Sequence, residues 1–61
     1  MEVNGYRIEA GADLRDADLS KADLRGANLT DAYLRSANLT DADLSDTILT
    51  GATMPDGTIH D

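Results

Sequence analysis

Cysteine, phenylalanine and tryptophan are absent from the 61 residues of this chain, and proline and histidine occur once each. Without cysteine, no disulfide can staple the small fold. His60 stands alone, so no structural metal site is credible. Without Phe or Trp there is no aromatic platform on which bases could stack, and no glycine-rich loop is present to cradle a phosphate. Positive charge is scarce as well: five Lys and Arg face twelve Asp and Glu, a formal charge of −7. That balance favours solubility and argues against direct binding to nucleic acid or an anionic membrane. No apolar run approaches membrane-spanning length, and the N-terminus lacks the charged-then-apolar order of a signal peptide, so a cytoplasmic location is expected. Catalysis would need a nucleophile, a base and an orienting group converging in a concavity. His60, next to last in the chain, reads as a solvated tail residue rather than a general base. Neither enzymatic activity nor a cofactor is expected.

What the chain does have is a period of five. The units Ala12-Asp13-Leu14, Ala17-Asp18-Leu19, Ala22-Asp23-Leu24, Ala27-Asn28-Leu29, Ala32-Tyr33-Leu34, Ala37-Asn38-Leu39 and Ala42-Asp43-Leu44 are each followed by two mostly polar residues. Degenerate units keep the spacing through Thr47-Ile48-Leu49, Ala52-Thr53-Met54 and Gly57-Thr58-Ile59. Backwards, the register would put Glu9 at a leucine position, which an apolar interior rejects unless the charge is paired. The repeat therefore starts at Ala12.

A helix does not fit, because five residues overshoot a full turn by about 140° and scatter the leucines. A flat strand fails too, because its faces alternate with period two and successive units would point to opposite sides. The period is satisfied when every unit is a short extended piece ending in a corner. The chain then winds into a coil whose Ala and Leu always point inward, and stacked units share one core.

On these residues, from 12 to 61, the chain resembles the pentapeptide repeat family, and its ending Met-Pro-Asp-Gly-Thr-Ile-His-Asp is similar to tails of cyanobacterial members. The resemblance implies an all-β fold, a right-handed quadrilateral β-helix with four units per coil, here about two and a half coils. Residues twenty apart then stack, giving inward columns Leu14/Leu34/Met54, Leu19/Leu39/Ile59, Leu24/Leu44 and Leu29/Leu49. The expected organisation is a cap over residues 1–11 and a repeat domain over 12–61, ten units in all with degenerate ones at the end.

A solenoid has two open strand edges. Val3-Asn4-Gly5-Tyr6 reads as a type I′ hairpin that lays Val3, Tyr6 and Ile8 over the first coil. Met54-Pro55-Asp56-Gly57-Thr58 is a turn signature near the other end. Either both ends are capped or one stays open, and the short core favours an open end that pairs end to end in a homodimer.

The same stacking sorts the outward residues into four faces. One carries Asp13, Tyr33 and Thr53 beside Arg15 and Arg35, and Tyr33 with the two arginines forms a candidate partner contact. Another exposes Ile48 where a polar residue is usual, a second candidate. Asp and Asn before each leucine read as corner residues whose short side chains satisfy backbone groups. They lack the nine-residue, glycine-rich pattern of calcium-binding β-rolls, so no metal site is expected.

Two function classes remain. The first, favoured by the resemblance, is a non-enzymatic structural or protein-interaction module with a protein partner. The alternative comes from quinolone-resistance members of the family, which mimic duplex DNA and engage DNA gyrase. The charge suits that alternative, but a stub roughly 10–15 Å tall at about 4.8 Å per strand layer is short for it.

Overall fold

Corners come first, because a chain that turns every five residues needs a backbone conformation most residues resist. The computed structural model describes residues 2–61; Met1, the first residue of the expected cap, lies outside the described residues. The residue before each small one, from Gly11 to Gly51 in steps of five, is left-handed, with φ between 59° and 75°. After it the chain closes a tight turn. Ala17 N–H donates to the Leu14 carbonyl at 3.1 Å and Ala27 N–H to that of Leu24 at 3.0 Å. A positive φ at the third turn residue alone is the type II pattern.

Between corners the chain is extended and pairs with the next coil. Bridges join Asp13 to Tyr33, Asp18 to Asn38, Asp23 to Asp43 and Asn28 to Ile48, all parallel. The four pairs are each twenty residues apart, so a coil has four sides. We number the walls in chain order: wall 1 holds 12–14, 32–34 and 52–54; wall 2 holds 17–19 and 37–39. Wall 3 holds 22–24 and 42–44, and wall 4 holds 27–29 and 47–49. The fold is a right-handed quadrilateral β-helix.

Inside, the small residue sits beside the corner and the large one fills the centre. Leu14, Leu19, Leu24, Leu29 and Leu34 are fully buried, as are most of the alanines. Each buried leucine is worth about 2 kcal/mol of transfer free energy, which holds the first coil together. Thr47 replaces alanine without cost to hydrogen bonding, since its hydroxyl donates to the Leu24 carbonyl at 2.7 Å.

At the N-terminal end the apolar interior is covered, although the outer N–H and carbonyl groups of Asp13, Asp23 and Asn28 make no backbone hydrogen bond among the described residues. β1 (Glu2–Val3) and β2 (Tyr6–Arg7) pair antiparallel around Asn4 and Gly5, whose φ values of 54° and 87° are those a type I′ turn requires. Ile8 is buried under the hairpin, and Val3 and Tyr6 pack on the core. Side chains also close the exposed edge of wall 2. Tyr6 Oη accepts from the Asp18 N–H at 3.3 Å, and Asn4 Nδ2 donates to the Asp18 carbonyl at 3.3 Å.

The C-terminal end corrects one expectation. Ile59 does not stack beneath Leu39: it pairs with Thr53, antiparallel, and is 63% exposed. The reversal comes from the Pro55-Asp56-Gly57 turn. Gly57 N–H donates to the Met54 carbonyl at 2.8 Å, and Gly57 has φ 89°. The chain therefore makes two coils, 12–31 and 32–51, opens a third with 52–54, and then doubles back along wall 1. His60 follows the same path along wall 1, and its N–H donates to the Ala52 carbonyl at 2.8 Å.

Candidate partner-contact surface

One local motif recurs along the outward rows of the walls, everywhere but at Tyr33, Ile48 and Thr53. Asp18 Oδ1 accepts the Ser20 backbone N–H at 3.1 Å and the Ser20 hydroxyl at 2.7 Å. Asn28 serves Thr30 in this way, as do Asn38 for Thr40, Asp43 for Ser45 and Asp56 for Thr58. A short side chain reaching the N–H two residues on is an Asx turn. It steers the chain into the corner, so these carboxylates have a structural occupation.

Arginine elaborates the motif at two places. Arg15 donates from Nε to Asp13 Oδ1 and from Nη2 to Asp13 Oδ2, both at 2.8 Å. Arg25 grips Asp23 likewise at 2.8 and 2.9 Å. These guanidinium hydrogen bonds, aided by the arginine backbone N–H, hold Asp13 and Asp23 at about 2, below the ordinary 3.8. The serine hydroxyl and N–H lower Asp18 and Asp43, and Thr58 does the same for Asp56.

Of the residues singled out in the sequence, Tyr33 lies on wall 1, between Asp13 and Thr53 and 53% exposed, and Arg15 and Arg35 stand on the corner that follows it. Arg15 is committed to Asp13. Arg35 follows a tyrosine rather than an aspartate and instead lies over Gly57, where a Cβ would collide with its guanidinium. Ile48, 48% exposed, is on wall 4 and stacks under Asn28. The structure thus groups three of the four and sets Ile48 around a corner from them. Ile59 joins wall 1 as a further exposed apolar side chain, through the fold-back just described.

Which end of the solenoid stays open was left undecided by the sequence, and it is the C-terminal one. Leu39, Leu44 and Leu49 are only partly buried, because walls 2, 3 and 4 stop after two layers, and Met54 is partly buried in the third and last layer of wall 1. The signal was available: leucine columns twenty residues apart have no member beyond 49 on walls 3 and 4. Along this end, the N–H groups of Leu39, Leu44 and Leu49 and the carbonyls of Ala37, Ala42 and Thr47 make no backbone hydrogen bond among the described residues. Their counterparts one coil earlier are all paired, as Leu24 N–H is with the Asp43 carbonyl at 3.0 Å. No pocket interrupts the walls, and no group of three or more potential ligands could hold a metal ion, among the described residues.

The family model for pentapeptide repeats matches residues 11–54, in eight copies. The chain belongs to the pentapeptide repeat family. The crystal structure of HetL, a pentapeptide repeat protein involved in heterocyst differentiation regulation from the cyanobacterium Nostoc sp. strain PCC 7120, is similar at 55% identity with a TM-score of 0.83. That likeness covers 84% of this chain and 22% of HetL. The chain therefore spans about a fifth of HetL's length. No curated protein matches. The pentapeptide repeat is a structural repeat fold, commonly one of protein interaction.

Proposed function

We propose that this chain is a non-enzymatic protein-interaction module whose contact surface is its open C-terminal end. The observation that carries this reading is the difference between the two ends. At one, Ile8, Val3 and Tyr6 pack over a first coil whose leucines are fully buried, while the other leaves Leu39, Leu44 and Leu49 half-covered. Backbone groups without a partner among the described residues occur at both ends, on Asp13, Asp23 and Asn28 as on Leu39, Leu44 and Leu49, so it is the apolar cover that separates them. Unpaired strand edges over an apolar interior favour pairing with another chain. The carboxylates that a hydrolase would employ are instead occupied in corners, as Asp18 and Asp43 are with Ser20 and Ser45.

Acidity alone supports mimicry of duplex DNA less well. The body measures 22 × 20 × 18 Å, its long dimension equal to about six base pairs at about 3.4 Å each. Contact with protein is the better-supported role, in the cytoplasm.

A photo-crosslinking residue at Thr50, exposed on the last corner, tests the reading against the same residue at Asp13 on the first coil. In native cells, one discrete protein adduct from position 50 and none from position 13 is the expected result. Adducts from neither position overturn it.

A further inference from the structure

The chain itself shows what its C-terminal edge accepts. Residues 58–60 lie antiparallel to wall 1: Met54 N–H donates to the Thr58 carbonyl at 2.7 Å, and His60 N–H donates to the Ala52 carbonyl at 2.8 Å. The two groups used, a carbonyl at the small position and an N–H at the large one, recur on wall 3 as Ala42 C=O and Leu44 N–H. There they have no backbone partner among the described residues. Asp43, between them, spends its own N–H and carbonyl on the coil above, with Ala22 at 2.9 Å and Leu24 at 3.0 Å. Wall 3 thus offers the arrangement that wall 1 has already filled. It also stands opposite wall 1, away from the tail, whereas the end of wall 4 runs into Gly51, whose N–H is taken by the His60 carbonyl at 2.8 Å.

Charge decides the occupant. All five basic residues lie within the first 35 positions; residues 36–61 hold none, and carry Asp41, Asp43, Asp46, Asp56 and Asp61. Three of those aspartates, 41, 43 and 46, bracket wall 3 and are exposed. Arg25, the nearest cation, is gripped by Asp23 at 2.8 Å and stands 4.0 Å from Asp43. A second copy would set the same carboxylates against each other, and like charges directly opposed across strands are unfavourable. Its contact area is small as well: an end face of a 22 × 20 × 18 Å body gives roughly 400 Å² per copy, against about 800 Å² for a standard stable interface.

We propose that the C-terminal edge of wall 3 binds an extended cationic protein segment, added antiparallel as a further strand. Opposed side chains in such a pair share a face. The residue opposite Asp43 is therefore outward and is lysine or arginine, while its two neighbours point inward and are apolar, covering Leu44 and Ala42. The recognised pattern is apolar, basic, apolar. This deepens the interaction reading above and rests on it.

The test titrates the isotopically labelled full chain with a heptapeptide of alternating lysine and isoleucine, following amide hydrogen exchange by NMR. The expected result is at least tenfold slower exchange of the Leu44 amide at saturation, with the Leu24 amide unchanged. A glutamate-isoleucine peptide should leave Leu44 unaffected, and a peptide with proline replacing isoleucine should also fail. The Asp41→Asn/Asp46→Asn variant, altered at two corners where asparagine holds a left-handed backbone readily, should fold like the parent and bind the cationic peptide at least fivefold more weakly. Asp43→Lys should reverse the charge preference. Equal response to both peptides, protection of amides on other walls but not of Leu44, or unchanged affinity in the double variant overturns the proposal. So does a doubled mass by light scattering that protects Leu44 without peptide, since the occupant is then a second copy. If the adduct at position 50 forms while every peptide fails, the interaction reading stands and only the cationic-strand assignment is lost.

Discussion

Ile59 lies directly opposite Thr53 in an antiparallel bridge, and this pairing turns its side chain out of the coil. Thr53 occupies an outward position, and opposed side chains share a face. Ile59→Lys should therefore change stability by less than about 0.5 kcal/mol, the usual range for a surface substitution. Leu29, with no exposure at all, is the contrasting case: Leu29→Asp places an unpaired charge in the core and should abolish the cooperative melt. Circular dichroism on both variants checks the pair, and a large loss in Ile59→Lys would return that side chain to the interior.

Acid should unfold the chain over a defined window. Asp13 and Asp23 sit at about 2, lowered from 3.8 by their arginines, and Asp18, Asp43 and Asp56 are lowered by their serine or threonine partners. A depressed carboxylate contributes stability that is complete above its unfolded value and is lost as pH falls through the folded one. Denaturation midpoints should hold steady above about pH 4 and drop towards pH 2. In Asp18→Asn/Asp43→Asn the amide oxygen still accepts from residues 20 and 45, as Asn28 and Asn38 do for Thr30 and Thr40. That variant should match the parent at pH 7 and decline less steeply. An equal decline would show that these groups do not carry the acid response.

Left-handed corners predict opposite signs for two small changes. Lys21 has φ 59°, a conformation costing a residue with a Cβ about 1–2 kcal/mol. Lys21→Gly removes that strain while adding unfolded-state entropy, so its melting temperature should equal or exceed the parent's. Gly26, φ 71° with open space where a Cβ would go, should lose about 1 kcal/mol on replacement by alanine from backbone strain alone. Urea midpoints separate the two; destabilisation in both would mean the corners are held by something other than φ.

The repeat was legible because every inward position repeats a physical requirement: Ala beside a left-handed corner, Leu in the centre, and Asp or Asn to hold the next N–H. A charge at Glu9 was enough to mark where the register stops. The tail was less legible, since Gly57-Thr58-Ile59 matches the spacing while Pro55-Asp56-Gly57 encodes a reversal, and periodicity cannot rank one against the other. Two backbone hydrogen bonds to wall 1 decide it. An open end was expected from the short core, but its place was hidden for another reason: Leu39 and Leu44 look identical in sequence to Leu19 and Leu24, and only counting the layers beneath them reveals their exposure.

Tyr33 and Ile48 stand where other units place an Asx-turn acceptor, so Arg35 and Thr50 lack the side-chain acceptor that Arg15 and Thr30 have from Asp13 and Asn28. Restoring it should stabilise the coil. Tyr33→Asn and Ile48→Asn each supply one neutral hydrogen bond at an exposed corner, worth on the order of 0.5 kcal/mol and a rise of about 2–4 °C in a domain this small. A calorimetric scan measures the gain. A lower melting temperature would mean that the aromatic ring or the isoleucine packs on its wall more strongly than an Asx turn holds the corner. If the rise appears, these positions carry side chains that the fold does not favour, and a partner on the walls becomes testable with the same proteins. In that case the stabilised variants should lose any crosslink formed from wall 1 or wall 4, while the adduct from Thr50 at the open end should persist unchanged.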